Sequence, residues 1–224
     1  WQSIFLIICG FEIYATLNRA RFDFEGENEL NSYITSCLAL STFLTSAALL
    51  LYLLMPHFFN KLFMLVRKYI WFMFAYLYTQ PAFQMFQAKQ RIEYRYKFSA
   101  VISFLLIVGS TSIAVLLVHI LDDSLMGRIF GQYVLYAVAG IAFYIYFFQK
   151  SHVIRFRNWK YAVMLGLSLV VSFLGSQILL TADRIIVKQI GAEKEVAWIV
   201  LATSCTHIIL IFVQTLNNTW APWF

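Results

Sequence analysis

The residues able to do chemistry are few, and most of them lie inside apolar runs. Asp183 and Arg184 follow directly on the apolar run 161–182. A charge at the edge of hydrocarbon is costly and tends to be kept for a purpose. The plainer reading is an interfacial ion pair that marks a helix end. Glu12 is the only carboxylate deep in any run. It reads either as a local partner of Arg19, about two helical turns on, or as a place where a proton or cation binds.

Four polar stripes follow helical period. Tyr76, Gln80, Gln84 and Gln87 recur at i, i+4, i+8 and i+11. Ser168, Ser172, Gly175, Ser176 and Asp183 fall along one side of a later run. Thr203, His207, Gln214 and Asn218 do so on the last, and Glu12, Thr16 and Arg19 on the first. An amide facing lipid would be left unpaired, so these faces are expected to meet protein or water. The Ser/Gly stripe reads as a packing seam of small residues. The glutamine stripe reads as the wall of a water-filled cavity, because three large amides rarely all find partners in a tight seam.

The elements that must position these residues are helices in a membrane. The chain has 224 residues, 61% hydrophobic and 12% charged, with a mean hydropathy of +0.72. Soluble domains carry about twice that share of charge. Seven helical segments can be drawn, over 1–18, 30–55, 69–88, 98–121, 129–148, 161–182 and 196–216. Most approach the ~20 residues needed to cross ~30 Å of hydrocarbon. The class is therefore all-α, a polytopic helical membrane protein. Alternating ten-residue segments, which would mark a β-barrel, are absent. Residues 56–68 are too apolar for a free loop and too charged to span, and read as an interfacial helix. Pro81 is expected to kink the third segment.

The net charge of +6 does not point to nucleic acid, since the basic residues sit in short loops where they orient helices. Loops 18–29, 89–97 and 150–160 hold ten of the 17 Lys and Arg, which assigns these three to the cytoplasm. Cys9, Cys37 and Cys205 lie in apolar runs and read as small buried hydrophobes. His207 has no second ligand at metal spacing, so no metal is assigned. No cofactor motif and no catalytic constellation are seen. The chain reads as an internal fragment of a larger membrane protein.

Four stretches carry a family resemblance. They are Asn18-Arg19-Ala20-Arg21 running into an acidic turn and Tyr33-Ile34-Thr35-Ser36; the basic turn 90–98; Trp159-Lys160-Tyr161 through Thr181-Ala182-Asp183-Arg184 to Gly191; and Asn217-Asn218-Thr219-Trp220-Ala221-Pro222. In order and spacing the chain resembles the polysaccharide and O-antigen flippases (Wzx-like) of the MATE-like multidrug, oligosaccharidyl-lipid and polysaccharide exporter superfamily. It departs from them in lacking a proline over 168–176.

That resemblance implies a two-lobe bundle. Residues 1–149 would form five spans of an amino-terminal lobe, 150–160 a cytoplasmic linker, and 161–224 the opening two spans of a carboxy-terminal lobe. It implies a transporter of the bacterial cytoplasmic (inner) membrane rather than an enzyme. The substrate would be an undecaprenyl-pyrophosphate-linked oligosaccharide, flipped by alternating access among membrane lipids, with H+ or Na+ as coupling ion. Arg19, Arg21 and Arg184 would attract the pyrophosphate, while Gln80, Gln84, Gln87, His207 and Gln214 would face the glycan. Glu12 and Asp183 would couple the ion. The rivals are a drug or cation antiporter of the same fold and, further off, a membrane-embedded polymerase or acyltransferase. The short loops and the lack of a His–carboxylate pair argue against the enzyme.

Overall fold

A computed structural model describes residues 2–24, 26–63, 67–121, 123–189 and, further on, 198–199, 201–203, 205–206, 209, 213 and 216. It holds helices α1 (Gln2–Gly10), α2 (Ile13–Asp23), α3 (Glu27–Leu54), α4 (Pro56–Phe63), α5 (Arg67–Ile92), α6 (Tyr96–Ile120), α7 (Ser124–Lys150) and α8 (Phe156–Gln189). No strand occurs among the described residues. Among the described residues, five stretches are long and apolar enough to span a membrane: Gln2–Asp23, α3, Lys97–Ile120, Leu125–Lys150 and Phe156–Ala182. The protein is an all-α polytopic membrane protein.

Helix α5 has the length of a span, with 26 residues, but falls short in apolarity because Gln80, Gln84, Gln87, Lys89 and Gln90 interrupt it. Of the seven expected spans, the last lies largely outside the described residues. The expected interfacial segment forms α4, and Pro81 lies within α5.

The first expected segment is not one helix. It breaks at Phe11 and Glu12, both in the left-handed region with φ of 51° and 47°. Non-glycine residues rarely sit there, and two in succession store strain that the surroundings must hold. Nothing in the local sequence forces the break, since an apolar run without proline favours continuous helix.

By compactness the chain divides into Trp1–Val171 and Ser172–Phe224, with the boundary inside α8. In the second unit the described residues are helical. In the first, α5 is the central element and packs against α1, α2, α3, α6 and α7. One buried cluster gathers Leu17, Tyr33, Leu38, Met85 and Phe147; a smaller one gathers Tyr52, Ile70, Phe74 and Leu77. In lipid such packing relies on close fit rather than escape from water, and small residues let helices approach. On α7, Gly127 and Gly131 form a G-xxx-G pair against α6. A Cβ on Gly131 would fall 2.4 Å from the Ala114 Cα. One on Gly140 would fall 2.4 Å from the Thr79 carbonyl oxygen of α5. The opposite faces of α6 and α7, including Phe104, Leu105, Leu116 and Ile141, are exposed, as lipid-facing surface should be.

The three loops assigned to the cytoplasm meet at one end. Arg21 Nη1 donates to the Ile92 carbonyl at 2.7 Å, and Lys150 Nζ lies 3.3 Å from Glu27. Ser32 Oγ donates to the Val153 carbonyl, and Ser36 Oγ accepts from the Arg155 N–H, which ties the 151–155 stretch to α3. At the opposite end Lys68 Nζ sits 2.5 Å from Asp123 Oδ2. Asp123 also caps α7, its Oδ1 accepting from the Met126 N–H at 3.2 Å.

Candidate functional site

The break between α1 and α2 places Glu12 at the start of α2, 6% exposed. Its side chain does not cap the helix. Among the described residues its Oε2 is buried without a hydrogen-bond partner, and Tyr14 is close enough to interact with it. The Glu12 carbonyl accepts from Ala15 N–H at 2.9 Å, and Phe11 N–H reaches the Ile7 carbonyl at 2.9 Å. The Ser41 hydroxyl of α3 donates to the Cys9 carbonyl at 3.3 Å. The groups freed by the break are thus met partly from a neighbouring helix, as nonhelical backbone at membrane depth requires. Gly166 of α8 seats the break: a Cβ there would lie 2.6 Å from the Phe11 ring and 2.9 Å from its carbonyl oxygen.

Glu12 does not pair with Arg19. Arg19 is exposed one turn from Asp23, at 4.0 Å. The expected local pairing with Arg19 is therefore not formed. The carboxylate lies buried near the positive end of α2, with Tyr14 as a hydrogen-bonding neighbour and no salt bridge to a cation among the described residues. Thr16, on the same face, shares a hydrogen bond of 2.6 Å with the Tyr33 hydroxyl.

The glutamine stripe divides. Gln80 and Gln87 line a cavity of about 290 Å³ between α5, α6 and α7. Gln80 is 9% exposed, and its Oε1 has no partner among the described residues. Gln87 donates to Ser103 Oγ at 2.8 Å. Gln84 is half-buried and lies off the cavity wall. Two of the three amides thus line a cavity, while Gln84 stands apart from it.

Sequence reading missed the rest of that cavity. Gln132, Tyr133 and Tyr136 face it from α7 and Gln2 from α1, joining Tyr76 of the expected stripe on α5. The Tyr133 hydroxyl donates to Gln2 Oε1. The signal was present, since Gln132 and Tyr136 stand four residues apart on one helical face. Lys89 was likewise read as a loop cation. It is 1% exposed and donates to Asn31 Oδ1 at 2.6 Å, with Glu93 at 3.5 Å.

Arg21 lines a recess of about 600 Å³ at the loop end, with Glu27, Glu93, Arg95 and Lys150. Its guanidinium lies over the Tyr94 ring at 5.8 Å. Lys150 Nζ donates there to Glu27 Oε1 at 3.3 Å. Asp183 and Arg184 fall on α8 just past Ala182, where its apolar stretch ends, but their side chains lie outside the described residues. His207 and Gln214 lie outside them altogether. The Ser/Gly stripe forms no seam among the described residues: Gly175 has open space around it, and the exposed Ser176 bonds back to the Ser172 carbonyl.

A bundle with a broken first span, a buried carboxylate at the break and a polar cavity beside its central helix is a membrane protein with hydrophilic sites inside hydrocarbon. The chain belongs to the family described as polysaccharide biosynthesis protein, whose family model matches residues 1–224. That membership gives it a membrane role in polysaccharide synthesis. No curated protein and no solved structure matches the chain.

Proposed function

We propose that the protein flips a polyprenyl-pyrophosphate-linked oligosaccharide across the bacterial cytoplasmic membrane by alternating access, without enzymatic chemistry, driven by H+ or Na+. The observation that carries this is Glu12, buried and without a cation at a two-residue break in a membrane span. Discontinuous helices near mid-membrane are where transporters build ion and substrate sites. An ionisable group held there is a functional candidate by default. Membership of a polysaccharide biosynthesis family supports a glycan as the cargo. The recess with Arg21, Arg95 and Lys150 supplies cations where a pyrophosphate would approach from the loop end.

The uncharged wall of the glutamine cavity speaks against a cationic drug as cargo, since such a ligand favours acidic surroundings. The test is flipping of a fluorescent lipid-linked oligosaccharide by the full-length protein in proteoliposomes under an imposed pH or Na+ gradient. Glu12→Gln should remove the response to the gradient, with about 10-fold or greater loss of driven rate. Driven flipping unchanged by Glu12→Gln would overturn the coupling role, and no flipping by the wild type would overturn the reading.

A further inference from the structure

The cavity between α5, α6 and α7 has a chemistry of its own. Its lining contains no Asp, Glu, Lys, Arg or His. Four amides (Gln2, Gln80, Gln87 and Gln132) and Ser103 supply donors and acceptors in the same small space. Three tyrosines supply ring faces. The Tyr76 and Tyr133 centroids are 4.9 Å apart, and Phe83 stands 5.8 Å from Tyr136 at the cavity floor. Gln80 Oε1 is buried without a partner among the described residues, an arrangement that costs energy.

The combination selects a ligand class. A phosphate or a uronic acid would find no cation on the wall itself, Arg128 acting only from beside Tyr133. A polyprenyl chain would leave the amides unpaired. A neutral polyhydroxylated ring meets both requirements: its hydroxyls donate and accept as amides do, and its C–H face packs on aromatic rings. At about 290 Å³ the cavity stands at the small end of ligand pockets, roughly 300–1,000 Å³, which limits it to one ring. We propose that this cavity is a binding subsite for a single uncharged sugar residue. The proposal rests on the transport reading only for the source of that sugar, namely the carried glycan.

The test uses the full-length protein in lipid nanodiscs and saturation-transfer NMR with D-galactose, N-acetyl-D-glucosamine and, as the charged probe, D-glucuronate. Transfer is expected to at least one neutral sugar and at least tenfold more weakly to glucuronate. Gln80→Leu and Gln132→Leu should each lower it at least fivefold. Gln132 is exposed, so its variant keeps the test sound if the buried change perturbs folding, and melting temperatures check both. Absence of transfer to either neutral sugar, transfer unaltered by both substitutions, or equal transfer to glucuronate would overturn the site. Flipping of lipid-linked glycan by the wild type without sugar transfer would sink the subsite alone. Sugar transfer lost in the variants, with no flipping at all, would uphold the subsite and sink the transport reading.

Discussion

Gly166 of α8 lies so close to Phe11 that a single methyl group at its Cα would stand 2.6 Å from the Phe11 ring and 2.9 Å from the Phe11 carbonyl oxygen. The break in the first span therefore has a seat on another helix. Gly166→Ala should displace the Phe11 backbone and cost about 1–3 kcal/mol as overpacking does, read as a lowered melting temperature of the detergent-solubilised protein. Gly175→Ala is the internal control. It lies in the same helix with open space around it and should be neutral or stabilising by up to about 1 kcal/mol. Equal effects of the two changes would mean that the seat does not hold the break.

Lys89 is a cation enclosed by protein, held by Asn31 at 2.6 Å and Glu93 at 3.5 Å. Removing a partner from a buried charge is worse than removing the charge. Glu93→Ala should destabilise the protein by about 3–5 kcal/mol, and Lys89→Met combined with Glu93→Gln should recover much of that loss. Thermal unfolding of the single and double variants decides it.

Tyr33 is fully buried and hydrogen-bonded to Thr16 at 2.6 Å, and its ring stacks on Phe24 at 5.1 Å. Tyr33→Phe keeps the ring and deletes the hydroxyl, at an expected cost of about 1–3 kcal/mol. A double-mutant cycle with Thr16→Val should return a coupling of about 0.5–3 kcal/mol. Additive single changes would show that the bond contributes nothing to stability.

The Lys68–Asp123 clip sets a pH window at the end of the bundle away from the three basic loops. The Lys68 hydrogen bond, followed by the Met126 N–H, lowers the Asp123 carboxyl from 3.8. The Asp123 hydrogen bond raises the Lys68 ammonium from 10.5. A lowered acid contributes stability fully above its unfolded value and loses it as pH falls through the folded one. A raised base contributes fully below its unfolded value and loses it as pH rises through the folded one. The clip should therefore act between about pH 4 and 10. Asp123→Asn should lower the melting temperature inside that window and lose its effect at the acid end. Both groups are partly exposed, so added salt should shrink the difference.

Much of the fold was legible because lipid simplifies the code. Apolar runs long enough to span, with polar residues at helical period, placed α3 and α6 within three residues at each end, while α7 begins five residues before the expected 129 and α8 extends five residues before and seven beyond the expected 161–182. The pairing of loop ends followed from alternation of the spans, and Arg21 on Ile92 and Lys150 on Glu27 agree with it. The break at Phe11–Glu12 was not legible, because the contact with Gly166 that accompanies it lies far along the chain. Lys89 was misplaced for a similar reason: a basic residue near a span end reads as solvated unless the position of Asn31, 58 residues away, is known. The glutamine stripe, read as the wall of a water-filled cavity, lines a cavity at Gln80 and Gln87. Its exact register against α6 and α7, which leaves Gln84 aside, depends on how closely Gly140 lets α7 approach.

Helix α7 is fastened at both extremities, by Asp123 to Lys68 at the foot of α5 and by Lys150 to Glu27 at the head of α3. Between them Gly140 presses on the Thr79 carbonyl. A rod clamped at each end and keyed in the middle resists sliding and tilting alike. Whatever displacement the protein undergoes, α3, α5 and α7 should travel together as one piece. Their backbone amides should then be the slowest in the chain to exchange with deuterium, while the strained hinge at Phe11 and Glu12 should exchange early.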